Sequence, residues 1–242
     1  MNASKTLLSI VIPVYNEEKT IGTVLENLEK IKLHSIDREI IIVDDGSKDQ
    51  SVRIIKEKIR KSKNIKLIEH PHNKGKGAAV VTGFANAKGD ILLIQDADLE
   101  YNPKDIPKLL EPILKGKDKV VYGTRLRKNI VLTGNNKTPL PFHFFGNKFL
   151  SLVTSILYGE SITDMETGYK VFKKSVLSGM HLNARSFDFE PEITAKILKK
   201  GIHILEIDID TNPRGYAEGK KIRPVHDGVI ALWTLIKYRF IK

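Results

Sequence analysis

Three acids stand at alternate positions in the stretch ILLIQDADLEYNP, residues 91–103: Asp96, Asp98 and Glu100. They follow directly on an apolar run that reads as a buried strand. On an extended segment residues i and i+2 point the same way, so Asp96 and Asp98 can converge on one point with Glu100 close behind. Their mutual repulsion calls for a counter-charge. A hard divalent cation with oxygen ligands, Mg²⁺ or Mn²⁺, fits, and such cations ordinarily share a few carboxylates with substrate phosphates. Two other readings compete. An EF-hand calcium loop needs Gly at its sixth position, where this stretch has Tyr101, and is rejected. A helix-capping turn ahead of Pro103, where acids favour a helix N-terminus, would account for the acids without any ligand.

The elements around these acids weigh against the capping turn. Apolar runs at 7–15, 39–45, 64–70, 90–96 and 119–125 read as strands. Between them, 17–31, 50–62, 77–87 and 103–116 carry helical periodicity, with Pro107 and Pro112 expected to bend the last. Strands that are apolar throughout and alternate with helices imply a mostly parallel α/β sheet flanked by helices on both faces. Ligands of such sheets bind outside the carboxyl ends of the strands. Three polar clusters fall there: Pro13-Val14-Tyr15-Asn16-Glu17, Asp44-Asp45-Gly46-Ser47 and Asp96-Ala97-Asp98. Three clusters on one edge point to a shared site. The NKGKGAAVVTG segment (73–83) is no dinucleotide fingerprint, because its third glycine position holds Val80 and it follows the third strand.

The second half differs. Residues 126–141 read as a polar loop, 142–159 as an aromatic and aliphatic helix, 186–201 as a helix and 202–210 as a strand. A basic Gly/Pro loop spans 212–224, and a final amphipathic helix spans 226–242. With no cysteine, disulfides and thiolate metal sites are excluded. No apolar run is long enough to cross a membrane as a helix. The N-terminus lacks a signal-peptide pattern. The net charge of +11 favours a polyanionic partner, whether phosphate-rich ligand, anionic membrane surface or nucleic acid.

The segments SIVIPVYNEEKTI, IIIVDDGSKD, NKGKGAAVVTGFANAKGDILLIQDADLEYNP and VVYGTRL together resemble the family 2 glycosyltransferases of the GT-A fold. The segments DMETGYKVFKKSVL, FDFEPEITAKILKKGIHILEIDI and YAEGKKI are similar to the branch with dolichyl-phosphate mannose and glucose synthases. The resemblance covers roughly residues 8–230. It implies a single Rossmann-like GT-A domain over 1–242, with a nucleotide-sugar half (1–125) and an acceptor half (126–242). It also implies a GDP- or UDP-linked donor and a Mg²⁺ or Mn²⁺ cofactor. Pro13, Tyr15 and Glu17 match the segment that cradles base and ribose. Asp44 and Asp45 match acids that contact the base, and Asp96 and Asp98 match the metal-carrying D-x-D. Glu100, a third candidate ligand, stands where mannose synthases often carry Gln. Arg125 matches an arginine near the acceptor phosphate, and Lys76 belongs with the substrate residues. A second phosphate-binding arginine of mannose synthases falls near Phe145, and Lys148 one turn later can substitute.

The chemistry fits these residue types. A sugar leaving a nucleoside diphosphate builds negative charge, which a metal stabilises as a Lewis acid. Arg214, the first candidate for the diphosphate, and Lys220 and Lys221 lie in the basic loop; a solvated turn is the plain alternative. An alcohol acceptor needs a general base, for which Asp164, Asp188 and Glu190 are candidates, or else these acids hold loops. A phosphate acceptor is already an anion at neutral pH and needs none. Helices 142–159 and 226–242 combine aromatic and basic residues, the composition of interfacial helices, though core packing would use the same apolar faces. The reading is therefore an inverting, metal-dependent transfer of a hexose to a polyprenyl phosphate, by a peripheral protein on the cytoplasmic face of the membrane or one with a membrane partner subunit. The alternatives are a family 2 transferase acting on a saccharide hydroxyl and a non-enzymatic polyanion-binding protein.

Overall fold

Alternation along the strands divides the apolar residues between two cores, one on each face of the sheet. Strand β1 (Thr6–Val14) sends Leu8, Ile10, Ile12 and Val14 into one core and Val11 into the other. Strand β2 (Ile36–Asp44) divides Ile40 and Ile42 from Ile41 and Val43 in the same way. Helices α1 (Ile21–Lys30), α2 (Ser51–Ile59) and α4 (Ile106–Leu114) close the first core. Helices α3 (Lys76–Asn86), α5 (Pro141–Tyr158), α6 (Phe189–Lys199) and α7 (Pro224–Phe240) close the second. Burial on both faces is what a largely parallel sheet requires. The computed structural model describes residues 5–33, 36–60, 62–125, 141–212, 214, 221 and 223–241. The loop expected at 126–141 and Lys220 therefore lie outside the described residues, Pro141 excepted.

The remaining strands are β3 (Ile65–Glu69), β4 (Ile91–Ile94), β5 (Val120–Thr124), β6 (Lys170–Lys173) and β7 (Leu205–Asp208). The seven-stranded sheet has the order β3-β2-β1-β4-β6-β5-β7. Strand β6 runs antiparallel to both neighbours, and every other pairing is parallel. Sequence periodicity misses β6, which is four residues long with a lysine at each end. Its reversed direction brings its N-terminal approach, residues 164–168, to the edge where the parallel strands end. The carboxyl-edge loops therefore gain a segment from the second half of the chain.

Two sequence expectations shift. The helix expected over 103–116 is a 3₁₀ turn (Pro103–Asp105) followed by α4. Pro107 lies in the first turn of α4, where its missing N–H is no loss, so it starts the helix rather than bending it. Helices α5 and α7 form as expected and pack together, with the Tyr158 hydroxyl donating to the Leu235 carbonyl at 2.7 Å. Each also leaves an apolar stripe exposed: Phe145, Phe149, Leu152 and Ile156 on α5, and Val225, Val229, Trp233 and Phe240 on α7.

Helix α3 crosses β1 closely at Gly83, where a β-carbon would lie 2.3 Å from Val11 Cγ1. Val11 is β-branched and buried, so it cannot swing away. Gly83→Ala should therefore destabilise the protein by about 1–3 kcal/mol through overpacking, despite alanine's better helix propensity. Urea unfolding monitored by circular dichroism checks this; an unchanged or raised midpoint contradicts the close crossing.

Candidate active site

The loops at the carboxyl edge enclose a cleft of about 500 Å³. Pro13, Tyr15, Glu17, Asp45, Lys76, Asp96, Asp98, Glu100, Arg125 and Arg214, all expected site residues, line it together. Asp44 and Lys148 do not. Asp44 turns inward, and its Oδ2 accepts from the Gly46 and Ser47 N–H groups at 3.1 and 3.0 Å. Lys148 lies beside the Phe144 ring on α5. A larger hollow of about 910 Å³ lies at the opposite end of the strands, lined by Lys88, Asp90 and Lys174 among apolar residues. None of the acid clusters reaches it, so size alone does not mark the site.

Asp96, Glu190, Glu17 and Asp98 each meet a cation from another segment of the chain. Lys76, in the first turn of α3, bridges Asp96 and Glu190 at 2.9 Å each. Burial lowers the Lys76 ammonium, and the two carboxylates more than reverse that, leaving it well above its ordinary value. Arg214 grips both oxygens of Glu17 at 3.0 and 3.1 Å and reaches Asp98 at 3.2 Å. Its backbone N–H donates to Glu100 Oε1 at 3.1 Å. Lys221 adds an ion pair to Glu17 at 2.8 Å and a hydrogen bond to the Tyr15 carbonyl. Burial raises the Glu17 carboxyl, but Arg214 and Lys221 outweigh it, so Glu17 ends below its ordinary value.

Asp98 has less compensation. Burial first, then the charges of Asp96 and Glu100, push it up to about 6. The chain reverses at Leu99, which adopts φ 63°, and Asp98 Oδ1 accepts from the Glu100 N–H at 3.1 Å. Asp96 sits against Gly168, where a β-carbon would lie 2.4 Å from Oδ2; only glycine leaves room for that carboxylate. Crowded hard oxygen donors whose charge is incompletely balanced suit Mg²⁺ or Mn²⁺ shared with substrate phosphates. Among the described residues no three acids or histidines gather into a complete metal cage. Glu100, the expected third ligand, accepts from the Arg214 backbone N–H through Oε1.

Other acids have structural work. Asp45 accepts from the Lys74 and Gly75 N–H groups at 2.9 and 2.7 Å and pairs with His70 at 2.7 Å, which fixes the loop ahead of α3. Asp188 accepts from the Arg185 and Ser186 N–H groups at 3.1 and 2.7 Å, so it holds a loop as one of its two readings required. Arg125 is clamped by Asp164 through Nε and Nη2 at 2.7 and 2.8 Å, and Asn147 donates to the same carboxylate at 2.7 Å. Asp164 thus positions the arginine. Sequence reasoning missed Glu166 and Lys170. Lys170 is fully buried, with its ammonium donating to the Met165 and Thr167 carbonyls and lying 4.3 Å from the Tyr122 ring centroid. The only signal was a lysine two residues after a glycine in DMETGYK, which does not distinguish buried from exposed.

The family model "Glycosyl transferase family 2" matches residues 9–179. The chain belongs to glycosyl transferase family 2. It is 35% identical over 227 residues to the UDP-N-acetylglucosamine–dolichyl-phosphate N-acetylglucosaminyltransferase of Methanococcus voltae, covering 85% of each chain. It is 30% identical to dolichyl-phosphate beta-glucosyltransferase ALG5D of Trichomonas vaginalis, covering 89% of this chain and 68% of that one. Against dolichol-phosphate mannosyltransferase of Pyrococcus furiosus the identity is 30%, covering 96% of this chain and 64% of that one. Glucosyl-3-phosphoglycerate synthase of Mycobacterium tuberculosis, solved with Mn²⁺, UDP and phosphoglyceric acid, superposes with a TM-score of 0.74 at 21% identity, covering 98% and 80% of the two chains. That likeness establishes the fold, so this glycosyltransferase has the GT-A architecture.

The Arg125 clamp has a measurable signature. Burial raises the Asp164 carboxyl, and Arg125 followed by the Asn147 hydrogen bond outweighs it, leaving Asp164 below the ordinary aspartate value. A depressed folded pKa stabilises the protein above the unfolded value, and that contribution disappears as pH falls through the folded one. Asp164→Asn should therefore cost about 3–5 kcal/mol near pH 7, with the gap to wild type narrowing below about pH 4. Urea midpoints measured from pH 7 to pH 3 check this; a gap independent of pH would contradict it.

Proposed function

We propose that this glycosyltransferase transfers a hexose from a nucleotide sugar to the phosphate of a polyprenyl lipid, with inversion at the anomeric carbon. One observation carries the reading: Asp96 and Asp98 share a single cleft with Arg125, Arg214, Lys221 and Arg223. An acidic clasp beside several cations suits a reaction in which both the leaving group and the nucleophile are phosphates. The relatives support it, since their names carry three different sugars but one acceptor class, dolichyl phosphate.

Tyr15, Glu17 and the loop fixed by Asp45 receive the nucleoside. Asp96 and Asp98 would hold Mg²⁺ or Mn²⁺ against the diphosphate. A bound divalent cation would supply Lewis-acid stabilisation of the leaving diphosphate. Arg214 and Lys221 add positive charge on the same side. An oxygen of the lipid phosphate forms the new bond to the anomeric carbon as the bond to the nucleoside diphosphate breaks, and the electron pair leaves with that diphosphate. One displacement inverts the centre. The phosphate acceptor is already anionic at neutral pH and needs no proton removed. Arg125, held rigid by Asp164, attracts it.

The lipid must be met at a membrane. Among the described residues no helix is long and apolar enough to cross one. The exposed stripes of α5 and α7, with Lys148, Arg223, Lys237 and Arg239 on or beside the same helices, suit peripheral contact with an anionic cytoplasmic surface. Trp233 is the sole tryptophan and is 63% exposed. Its emission should shift to the blue on mixing with anionic vesicles and recover in high salt; no shift with any vesicle contradicts the docking face.

Activity is tested with purified protein, Mn²⁺ or Mg²⁺, a short polyprenyl phosphate and separate UDP-glucose, UDP-N-acetylglucosamine and GDP-mannose. Lipid-linked sugar should form with at least one donor. EDTA should abolish it, and Asp98→Asn should reduce it by about a hundredfold or more. Transfer to a saccharide hydroxyl, with none to the lipid phosphate, overturns the acceptor class.

A further inference from the structure

The acceptor-half wall of the cleft carries two carboxylates that the preceding scheme leaves unused. Glu190, 3% exposed, gives one oxygen to Lys76, and its Oε2 is buried without a hydrogen-bond partner among the described residues. Glu166 lies across from it on the reversed approach to β6. Its Oε1 is also buried and unpartnered among the described residues, and both residues line the cleft. Lys170, the nearest buried cation in sequence, is occupied by the carbonyls of Met165 and Thr167, on either side of Glu166. Leaving a buried acceptor unmade costs about 1–3 kcal/mol, a cost offset when a ligand supplies the donor.

The position says which ligand. Tyr15 and Asp45 stand on the β1–β2 side of the cleft, and Asp96 and Asp98 follow β4. Glu166 precedes β6, one strand farther on, and Gly168, two residues along, backs Asp96 itself. A donor whose base lies at Asp45 and whose diphosphate lies at Asp98 therefore carries its sugar towards Glu166. The unpartnered oxygen needs a donor, which a sugar hydroxyl or amide group supplies, whereas an ionised phosphate presents only acceptor oxygens.

We propose that Glu166 is the sugar-reading residue of the donor site, accepting a hydrogen bond from a hydroxyl or amide N–H of the transferred sugar. This rests on the nucleotide-sugar reading above. Burial, then the charge of Glu190, pushes the Glu166 carboxyl above its ordinary value.

The test pairs enzyme and substrate changes. Wild type, Glu166→Ala and Glu166→Gln are compared with the best of the three donors and with its monodeoxy analogues, after thermal melts show each variant folded. Wild type should lose about tenfold or more in kcat/KM on one particular deoxy analogue. Glu166→Ala should handle that analogue and its parent within twofold of each other. Glu166→Gln, which keeps an acceptor, should retain part of the discrimination and serves as the test if the alanine variant does not fold. UDP or GDP binding with Mn²⁺, by calorimetry, should stay within twofold in all three. If every deoxy penalty survives in Glu166→Ala, or if kcat falls equally for all donors as for a lost general base, the assignment is overturned while the transferase reading stands. If wild type uses no nucleotide sugar, both fall.

Discussion

Negative charge crowded at one edge of the sheet is the constraint around which the rest of this structure is arranged. Glu17, Asp96, Asp98, Glu100, Glu166 and Glu190 line a single cleft, two of them buried and four half-buried. Buried carboxylates are tolerable only when paired. The pairing cations come from the start of α3 (Lys76) and from the segment ahead of α7 (Arg214, Lys221). The electrostatic requirement therefore ties together segments more than a hundred residues apart. Glu166 and part of Glu190 are left over, and that remainder marks where the molecule expects something else.

The second organising feature is the reversal at β6. A wholly parallel sheet would place only strand ends at the working edge. The antiparallel strand contributes the segment leading into it, with Asp164, Glu166 and Gly168 in five residues. One of these clamps Arg125, one lines the cleft and one makes room for Asp96. The two halves of the chain are thus joined at the carboxyl edge of the sheet, where both contribute to the lining of one cleft.

Much of this was legible in the sequence. The strands through β5 and their helices follow from apolar runs and helical periodicity, and the acids after β1, β2 and β4 mark the edge. Direction and depth were hidden. KVFK is too short and too flanked by lysines to register as a strand, and Lys170 gives no hint that backbone carbonyls satisfy it in the core. Asp44 and Asp45 are adjacent and chemically identical, yet one turns inward to its own loop and the other lines the cleft. Lys148 fitted a helical spacing argument, but it lies beside Phe144 and does not line the cleft. These are facts of tertiary packing, which local periodicity does not carry.

The grip of Arg214 on Glu17 and Asp98 alters what it means for a ligand to arrive. An open basic groove must strip water from its cations when an anion enters. Here the guanidinium is already partly dehydrated and already holds carboxylates. On the nucleotide-sugar reading proposed above, an incoming diphosphate would compete for Arg214 within an existing ion pair, and a cation brought with it would take over the acids released. Entry would then be an exchange of counter-ions rather than the filling of an open basic groove. A pocket of this kind selects for ligands that bring both members of the replacement pair at once.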